Sequence, residues 1–346
     1  MNRIRLGRTG LVIGQSGFGA IPIQRISFDD ARSLLTKAHE NGVNFFDTAR
    51  AYTDSEEKIG YALSAVRKDI IIATKSMGGD RDAVLRDLET SLKNLKTDYI
   101  DVYQLHNPQK LPDPNDPNSM YGALLEARTK GMIRFLGITN HRVGVALEAV
   151  TSGLYDTVQF PLCTLSSTED LTLIATCKEH DIGLIAMKAL SGGLITNAAS
   201  AFAFLRQYDN VVPIWGIQRE SELDQFLDFE NNPPALDEPM LKVIENDRKE
   251  LGGTFCRACG YCLPCPVGIS IPMAARMSLL LRRMPSRQFM EDSWRKRMLL
   301  IKDCKDCGHC KEHCPYHLDT PNLLREMLKN YEEFYERNAP EVTGGD

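Results

Sequence analysis

The sequence predicts a (β/α)8 TIM barrel followed by a smaller, mainly helical domain. Roughly the first 230 residues alternate short apolar runs with amphipathic stretches, which is the pattern of strand–helix units. Eight such units fit into about 210 residues, as a closed parallel barrel with outer helices requires. The rest of the chain lacks this alternation and contains eight of the ten cysteines. A doubly wound open sheet is the alternative, but no G-x-G-x-x-G follows an early strand.

The elements of the barrel follow from these two periodicities. The strand candidates are Gly17–Ile21, Asn44–Asp47, Ile70–Thr74, Tyr99–Leu105, Ile133–Ile138, Thr157–Phe160, Gly183–Met187 and Val211–Trp215. The helical candidates are Asp29–Glu40, Ser55–Val66, Arg81–Leu95, Met120–Lys130, Arg142–Ser152, Thr168–His180, Ala198–Tyr208 and Glu220–Phe229. Ser27 or Asp29 would cap the first helix, and Ser55 with Glu56 and Glu57 would form the first turn of the second.

Other segments suggest the domain limits. Arg3–Ile13 contains a Gly-Arg-Thr-Gly turn and predicts a hairpin over the bottom of the barrel. Asn107–Ser119, rich in Pro, Asp and Asn after a strand, is interpreted as a lid or substrate loop. We assign residues 1–235 to the barrel, 236–253 to a linking helix ending at Gly252-Gly253, 254–338 to the second domain and 339–346 to a tail. The second domain has helical candidates at Met273–Arg283, Gln288–Leu300 and Thr320–Arg337.

The composition is that of an ordinary globular protein. Hydrophobic residues make up 43% of the 346 residues and charged residues 25%. The net charge of −5 argues against a nucleic-acid or anionic-membrane partner, since both favour basic surfaces. No apolar run approaches the ~18 residues of a membrane span, and the N-terminus lacks the apolar core of a signal peptide.

Two cysteine runs carry the chemistry of the second domain. They are Cys256-x2-Cys259-x2-Cys262-x2-Cys265-Pro266 and Cys304-x2-Cys307-x2-Cys310-x3-Cys314-Pro315. A loop that offers a thiolate every third residue, with a more distant fourth ligand, can wrap an iron–sulfur cube. Zinc is an alternative, although its sites usually show paired C-x2-C knuckles, and a disulfide framework suits small secreted chains instead. We therefore favour iron–sulfur clusters.

The runs resemble those of two-cluster ferredoxins, in which the fourth cysteine of each run ligates the cluster of the other run. The second run has the bacterial ferredoxin spacing, and the first is one residue short in its last interval. The resemblance implies two [4Fe-4S] clusters. One would be held by Cys256, Cys259, Cys262 and Cys314, and the other by Cys304, Cys307, Cys310 and Cys265. Thiols kept for clusters imply a reducing cytoplasm, and the remaining Cys163 and Cys177 are expected to be core residues.

Four polar residues end neighbouring strand candidates or begin the loops after them: Asp47, Tyr52, Lys75 and His106. Each alone has an ordinary explanation, such as a cap, a packed ring or a hydrogen-bonded core histidine. Catalytic residues of a barrel converge at the C-terminal ends of its strands. Their joint placement on three neighbouring strand ends therefore favours an active site.

The surrounding sequence resembles the aldo-keto reductase superfamily over about residues 1–230. The resemblance lies in the segments Arg5–Gly10, Asp47–Tyr52 with Ser55-Glu56, Thr74-Lys75, Gln104–His106 and Gly137–His141. With both cysteine runs, the chain resembles the branch with a C-terminal ferredoxin-like domain. This implies an NAD(P)(H)-dependent oxidoreductase that interconverts a small carbonyl and an alcohol.

Carbonyl reduction needs these residue types, because the alkoxide that forms must be protonated. Tyr52 would supply the proton. Lys75 would favour the ionised phenol, whose ordinary pKa is about 10, and Asp47 would orient Lys75. His106 would hydrogen-bond the substrate carbonyl, while a reduced nicotinamide supplies the hydride.

The resemblance also implies a nucleotide site. Thr139, Asn140 and Gln159 would hold the nicotinamide carboxamide. Met187 stands where relatives often stack an aromatic ring, and Lys188 would either meet a cofactor phosphate or remain a solvated strand-end lysine.

The nucleotide preference depends on the residues after the last strand. Relatives that prefer NADPH place Lys and Arg there, whereas this chain has Gly216 and Glu222. An acidic residue suits a free ribose hydroxyl, so the pattern slightly favours NADH, although nearby Arg219 could compensate.

Three hypotheses describe how the domains would work. The clusters could relay electrons between the enzyme and a redox partner protein, or they could be structural or oxygen-sensing. Alternatively, the chain could be a non-enzymatic, nucleotide-sensing electron carrier, which the complete tetrad argues against. A flavin normally mediates between hydride and one-electron carriers, but no motif supports one here.

Overall fold

The computed structural model describes residues 2–251, 255–283 and 286–338. The predicted helix end at Gly252-Gly253 and the predicted tail at residues 339–346 lie outside the described residues. The chain divides into two compact units, one containing residues 2–189 and 197–244 and the other containing residues 190–196 and the described residues from 245 onward. The division at residue 244 falls inside the segment interpreted as a linking helix.

The first unit is a closed barrel of eight parallel strands, which confirms the barrel over the open sheet. A two-stranded antiparallel hairpin precedes it, formed by β1 (Arg3–Arg5) and β2 (Val12–Gly14). The barrel strands are β3 (Gly17–Gly19), β4 (Phe45–Asp47), β5 (Ile71–Ser76), β6 (Ile100–His106), β7 (Ile133–Thr139), β8 (Thr157–Pro161), β9 (Gly183–Met187) and β10 (Val211–Gly216). Each pairs with the next, and β10 closes the ring on β3.

Helices alternate with the barrel strands, as the 3.6-residue periodicity predicts. They are α1 (Phe28–Glu40), α2 (Ser55–Leu63), α3 (Arg81–Leu95), α4 (Met120–Thr129), α5 (Val143–Thr151), α6 (Thr168–Glu179), α7 (Ala198–Arg206) and α8 (Glu220–Asn231). Ser27 caps α1 by accepting a hydrogen bond from the Asp30 N–H. The helix predicted to reach Val66 ends at Leu63, whose backbone leaves helical angles (φ −120°, ψ 2°), and a 3-10 helix from Ser64 to Asp69 follows.

The hairpin covers the bottom of the barrel, as predicted. Leu6, Leu11 and Ile13 are buried and belong to the same apolar cluster as Phe45 and Ile71, which begin two barrel strands. Burying these side chains seals the N-terminal ends of the strands. The C-terminal ends, where barrel active sites form, lie at the opposite face.

The second unit is mainly helical. After α9 (Glu238–Leu251), which straddles the division, come α10 (Ile271–Ala274), α11 (Met277–Arg283), α12 (Asp292–Leu299), α13 (His309–Glu312) and α14 (Thr320–Asn338). The helix predicted over Met273–Arg283 is thus interrupted at Ala275-Arg276, where the Arg276 side chain folds back onto the carbonyl of Pro272. The long α14 buries Leu324 and Tyr331, and the Tyr331 hydroxyl donates to the carbonyl of Phe289 at 2.7 Å.

The described helices include none with the length and apolar character that a bilayer crossing requires.

We expect Gly60→Ala to destabilise the barrel and Gly144→Ala to leave it unchanged or more stable. Both glycines lie inside helices, where alanine is intrinsically favoured by about 1 kcal/mol. A Cβ at residue 60 would lie 2.2 Å from the carbonyl oxygen of Asn94, whereas nothing lies within 4 Å of one at residue 144. Because backbone cannot swing aside, the clash should outweigh the propensity gain by about 1–3 kcal/mol.

Urea unfolding measures this difference. The chain has two tryptophans, so variants that also carry Trp294→Phe report the barrel alone through Trp215 fluorescence. A midpoint for Gly60→Ala equal to or above that of Gly144→Ala would contradict the close packing of α2 on α3.

Candidate active site and cluster sites

The C-terminal ends of β4, β5 and β6 bring the four candidate catalytic residues together. Asp47 ends β4, Lys75 is the second-to-last residue of β5, and His106 ends β6. Tyr52 lies in the loop between β4 and α2. The parallel register pairs Asp47 with Ala73 and Lys75 with Gln104, so the three strand ends face the same opening.

A buried ion pair joins Lys75 and Asp47. The Lys75 Nζ lies 2.7 Å from Asp47 Oδ1 and donates a second hydrogen bond of 2.6 Å to the Thr48 carbonyl. The side-chain amides of Gln104 and Gln159 each donate to the Asp47 carboxylate at 3.3 Å. Lys75 is 1% exposed and Asp47 2%. Burial raises the pKa of Asp47, and the ammonium and amide donors oppose that rise, so the pair is held by compensating bonds.

Tyr52 lies over this pair. Its ring centroid is 5.3 Å from the Lys75 Nζ, and the residue is half-buried. Burial raises the pKa of the Tyr52 hydroxyl; Lys75 lowers it and Asp47 raises it further. The net direction is upward, so the phenol carries its proton at neutral pH. It can therefore act as an acid toward an oxygen placed beside it.

His106 completes the group. Its ring meets that of Tyr52 edge to face, with centroids 6.1 Å apart and an interplanar angle of 84°. Burial, then the charges of Lys75 and Lys188, lowers the pKa of His106 to about 3. The imidazole is therefore neutral at neutral pH. Its buried Nδ1 has no hydrogen-bond partner among the described residues, so the ring can bond a ligand oxygen.

Glu56 anchors the loop that carries Tyr52, a role that the sequence analysis missed. Its carboxylate is fully buried and accepts from the hydroxyls of Thr74 at 2.7 Å and Ser91 at 2.6 Å. It also forms an ion pair with Arg50, which lies in the same loop. These bonds attach the loop to β5 and α3.

A sequence signal for the burial of Glu56 does exist. Glu56 lies three, four and seven residues before Ile59, Gly60 and Leu63, which are among the buried residues of α2. An acidic residue on the apolar face of a helix requires internal donors. The sequence analysis places Glu56 only in the first turn of α2 and does not use this pattern.

The residues expected to hold a nicotinamide carboxamide lie on adjacent strands. Thr139 of β7 pairs in register with Gln159 of β8. The buried Thr139 Oγ1 and Gln159 Oε1 have no hydrogen-bond partner within the described part of the chain. Asn140 is engaged, since its Nδ2 donates to the Pro108 carbonyl at 2.8 Å and its Oδ1 accepts from the Arg142 N–H. The orphaned oxygens of Thr139 and Gln159 fit an amide-bearing ligand.

Met187 and Lys188 follow at the end of β9. Met187 is partly buried against the apolar cluster of the barrel. Lys188 is half-buried in a left-handed backbone conformation (φ 59°), and its charge acts on His106. Lys188 thus lies close enough to His106 for its charge to act on that ring, and its contact with a cofactor phosphate stays a prediction.

The residues after β10 have ordinary structural surroundings. Gly216 and Arg219 are exposed. Glu222 caps α8, since its Oε2 accepts from the backbone N–H groups of Gln218 at 2.9 Å and Arg219 at 3.1 Å. The carboxylate on which the NADH preference was based is thus engaged with its own helix.

In the second unit the eight cysteines surround two cavities. One cavity is lined by Cys256, Cys259, Cys262 and Cys314, with Cys310 also at its wall. The other is lined by Cys265, Cys304, Cys307 and Cys310, with Cys262 at its wall. Each wall combines three cysteines of one run with the fourth of the other. This combination of thiols matches the ligand pattern of a two-cluster site.

The cysteines outside these runs are core residues. Cys163 and Cys177 are buried in the first unit. Burial raises the pKa of the Cys177 thiol to about 12, which makes it unreactive at neutral pH.

Comparison with known proteins agrees with both units. Residues 10–202 match the Aldo/keto reductase family, and residues 255–319 match the 4Fe-4S dicluster domain. L-galactose dehydrogenase of Arabidopsis thaliana is 31% identical over 55% of this chain and 66% of its own length. The uncharacterized oxidoreductase YqkF of Bacillus subtilis is 33% identical over 57% of this chain and 67% of its own length. The chain thus spans about two thirds of these relatives.

Solved structures share the fold. An aldo-keto reductase of Bacillus halodurans in its holo form superposes with a TM-score of 0.62 at 22% identity, over 71% of this chain and 96% of the other. An aldo-keto reductase of Klebsiella pneumoniae in complex with NADPH gives 0.61 at 20% identity, over 71% and 94%. At these identities the likeness supports the fold alone.

The family match covers more than half of the chain, and it includes the barrel strands that carry Asp47, Lys75 and His106 together with the loop of Tyr52. The chain belongs to the aldo/keto reductase family and carries, after its barrel, a 4Fe-4S dicluster domain.

Proposed function

We propose that the chain is an NAD(P)(H)-dependent oxidoreductase that interconverts a small carbonyl and the corresponding alcohol. The observation that carries this proposal is the buried Lys75–Asp47 pair beneath the protonated Tyr52, with neutral His106 against the same ring. Tyr52 donates the proton to the substrate oxygen in reduction and accepts it in oxidation. His106 forms a hydrogen bond with the same oxygen and orients it. The charge of Lys75 lowers the pKa of Tyr52 and so opposes the effect of burial.

A reduced nicotinamide bound at the strand ends supplies the hydride. Thr139 and Gln159 would bond its carboxamide through their orphaned oxygens, with Asn140 beside them. Met187 would contact the ring and Lys188 a phosphate. One similar structure holds NADPH. From Gly216 to Glu222 the one cation is Arg219, so we keep a slight preference for NADH over NADPH.

The proposed substrate class follows from the chemistry of the site, because the similar proteins do not share one substrate. The names of the similar proteins include an L-galactose dehydrogenase and methylglyoxal reductases, which differ widely in substrate. We propose a small carbonyl or alcohol and leave the loop from Asn107 to Ser119 as the candidate for selecting it. That loop is tied to the end of β7, since Asn107 Oδ1 accepts from the His141 N–H.

We further propose that each of the two cysteine-lined cavities holds a [4Fe-4S] cluster. The clusters would exchange electrons with a redox partner protein, in a reducing compartment such as the cytoplasm. The exposure of Cys307 favours this relay, because a cluster near the surface can meet a partner. A structural or oxygen-sensing role for the clusters is the second candidate. When bound, each cluster would act as a one-electron carrier.

Replacing Tyr52 by phenylalanine should lower kcat for carbonyl reduction about a hundredfold to ten-thousandfold, because the proton donor is lost. Binding of NADH or NADPH, followed by nucleotide fluorescence, should remain. The exposed Tyr61→Phe is the matched control and should retain activity. Turnover by Tyr52→Phe equal to that of the control would remove Tyr52 from the mechanism.

The pH dependence tests the protonation states. We expect kcat for reduction at saturating substrate to be flat across the neutral range and to fall only in alkaline solution, above the ordinary tyrosine pKa of about 10, because reduction requires the protonated phenol, whose pKa is raised. His106, with a pKa of about 3, stays neutral throughout, so no inflection near its ordinary value should appear. Oxidation of the alcohol should show the opposite trend and rise as Tyr52 loses its proton.

An inflection of wild-type kcat near pH 6.5 that vanishes in His106→Gln would show that His106 titrates in its ordinary range and would contradict its proposed neutral state.

The relay is tested on anaerobically purified protein by visible absorbance and electron paramagnetic resonance. About eight iron atoms per chain are expected for two clusters. Bleaching on addition of NADH or NADPH, compared with dithionite as the control, would support electron exchange between nucleotide and clusters. Bleaching by dithionite alone would favour the structural or sensing role.

A further inference from the structure

We propose that Arg276, a buried arginine of the second unit, is the counter-charge of the cluster site formed by Cys256, Cys259, Cys262 and Cys314, and that it raises the reduction potential of that cluster. The inference rests on the proposed loading of this site with a [4Fe-4S] cluster.

The surroundings of Arg276 leave its charge uncompensated by acidic side chains. The residue is 5% exposed. Its Nε donates to the Pro272 carbonyl at 3.0 Å, its Nη1 donates to the Gly192 carbonyl at 3.1 Å, and its Nη2 lies 3.9 Å from the Met273 sulfur. All three acceptors are neutral. Within residues 255–283 and the other described segments, Arg276 forms no ion pair with a carboxylate.

A buried guanidinium without a negative partner is strongly unfavourable, so a compensating charge is required. Cys256 and Ala275, the residue before Arg276, both line the first cavity, so the arginine lies beside this site. Cys256 is also the group whose negative form would interact with the Arg276 guanidinium. The compensating charge for Arg276 therefore belongs to the cluster site itself.

The backbone is shaped to admit the guanidinium. Gly192 has φ +67°, in the left-handed region, and a Cβ there would lie 2.9 Å from the Arg276 Nη1. A larger residue would displace the arginine from the Gly192 carbonyl. Glycine at residue 192 therefore preserves the close approach of the guanidinium to this carbonyl.

Other charged residues near the cavities are screened. Arg257, at the wall of the first cavity, is half-exposed and lies over the rings of Phe255 and Tyr316, 5.1 Å from each centroid. At the second cavity Lys305 and Asp306 are exposed and opposite in charge. Water and salt screen exposed charges, so Arg276 is the buried charge with the larger effect.

The electrostatic consequence has a definite sign. Reduction of the cluster takes up one electron, supplied by a reductant such as dithionite, and adds one negative charge to the site. A fixed buried positive charge stabilises the reduced site more than the oxidised site. Removing that charge should therefore make the first cluster harder to reduce and leave the second nearly unaffected.

The experiment is a dithionite titration of the full chain, followed by electron paramagnetic resonance, in three variants. Arg276→Met keeps the length of the side chain and removes its charge. One of the two midpoint potentials should fall by at least 59 mV. For a one-electron couple this corresponds to a tenfold loss in the equilibrium constant for reduction. Arg276→Lys should stay near the wild type. Arg282→Met, which removes an exposed charge from the neighbouring helix α11, should shift neither midpoint.

Iron content separates this inference from the cluster proposal on which it rests. The iron content of the wild-type chain is measured first, and about eight iron atoms per chain would establish that both clusters are loaded. If Arg276→Met retains only half of the iron while Arg276→Lys retains all of it, the charge is needed for assembly, which supports the inference. Loaded Arg276→Met with both midpoints unchanged would overturn it. So would an Arg276→Lys variant that shifts or loses iron as much as Arg276→Met, because packing rather than charge would then be responsible.

Discussion

The buried ion pair between Lys75 and Asp47 is the interaction on which the candidate active site depends. Each charge would cost several kcal/mol if it were left alone in the interior. The carboxylate is therefore surrounded by donors from three other strands: Lys75 of β5, Gln104 of β6 and Gln159 of β8. These bonds form together only when the strands close into a ring at the observed register. The same closure brings the rings of Tyr52 and His106 beside the pair.

A second buried acid, Glu56, holds the loop that carries Tyr52. Glu56 accepts from Thr74, Ser91 and Arg50, so the loop with Tyr52 is fixed at both ends. Loops usually carry catalytic groups on a rigid scaffold, and precision requires that their supporting bonds be buried. The position of Tyr52 is thus a property of β5 and α3 as much as of its own loop.

The second unit has its own electrostatic constraint. Eight thiols around two cavities would become negative on loading, and we propose the buried Arg276 as the counter-charge of one of the two sites. Cys262 and Cys265 are three residues apart, yet each belongs chiefly to a different cavity. Under the proposed ligand assignment the fourth ligand comes from the other run, so neither cluster site would form from one run alone.

The sequence by itself determined the barrel, its hairpin and the type of the cysteine sites. These depend on local signals: apolar periodicity, short turns and ligand spacing act within a few residues. Tertiary structure alone decided that Glu56 is buried, that Lys188 acts on His106, that Glu222 caps α8 and that Arg276 lies against Gly192. The carboxylate of Glu56 meets Ser91, 35 residues away, and Arg276 meets Gly192, 84 residues away. A charged side chain looks the same in sequence whether it is solvated or buried, because burial is set by partners that only the folded chain brings near.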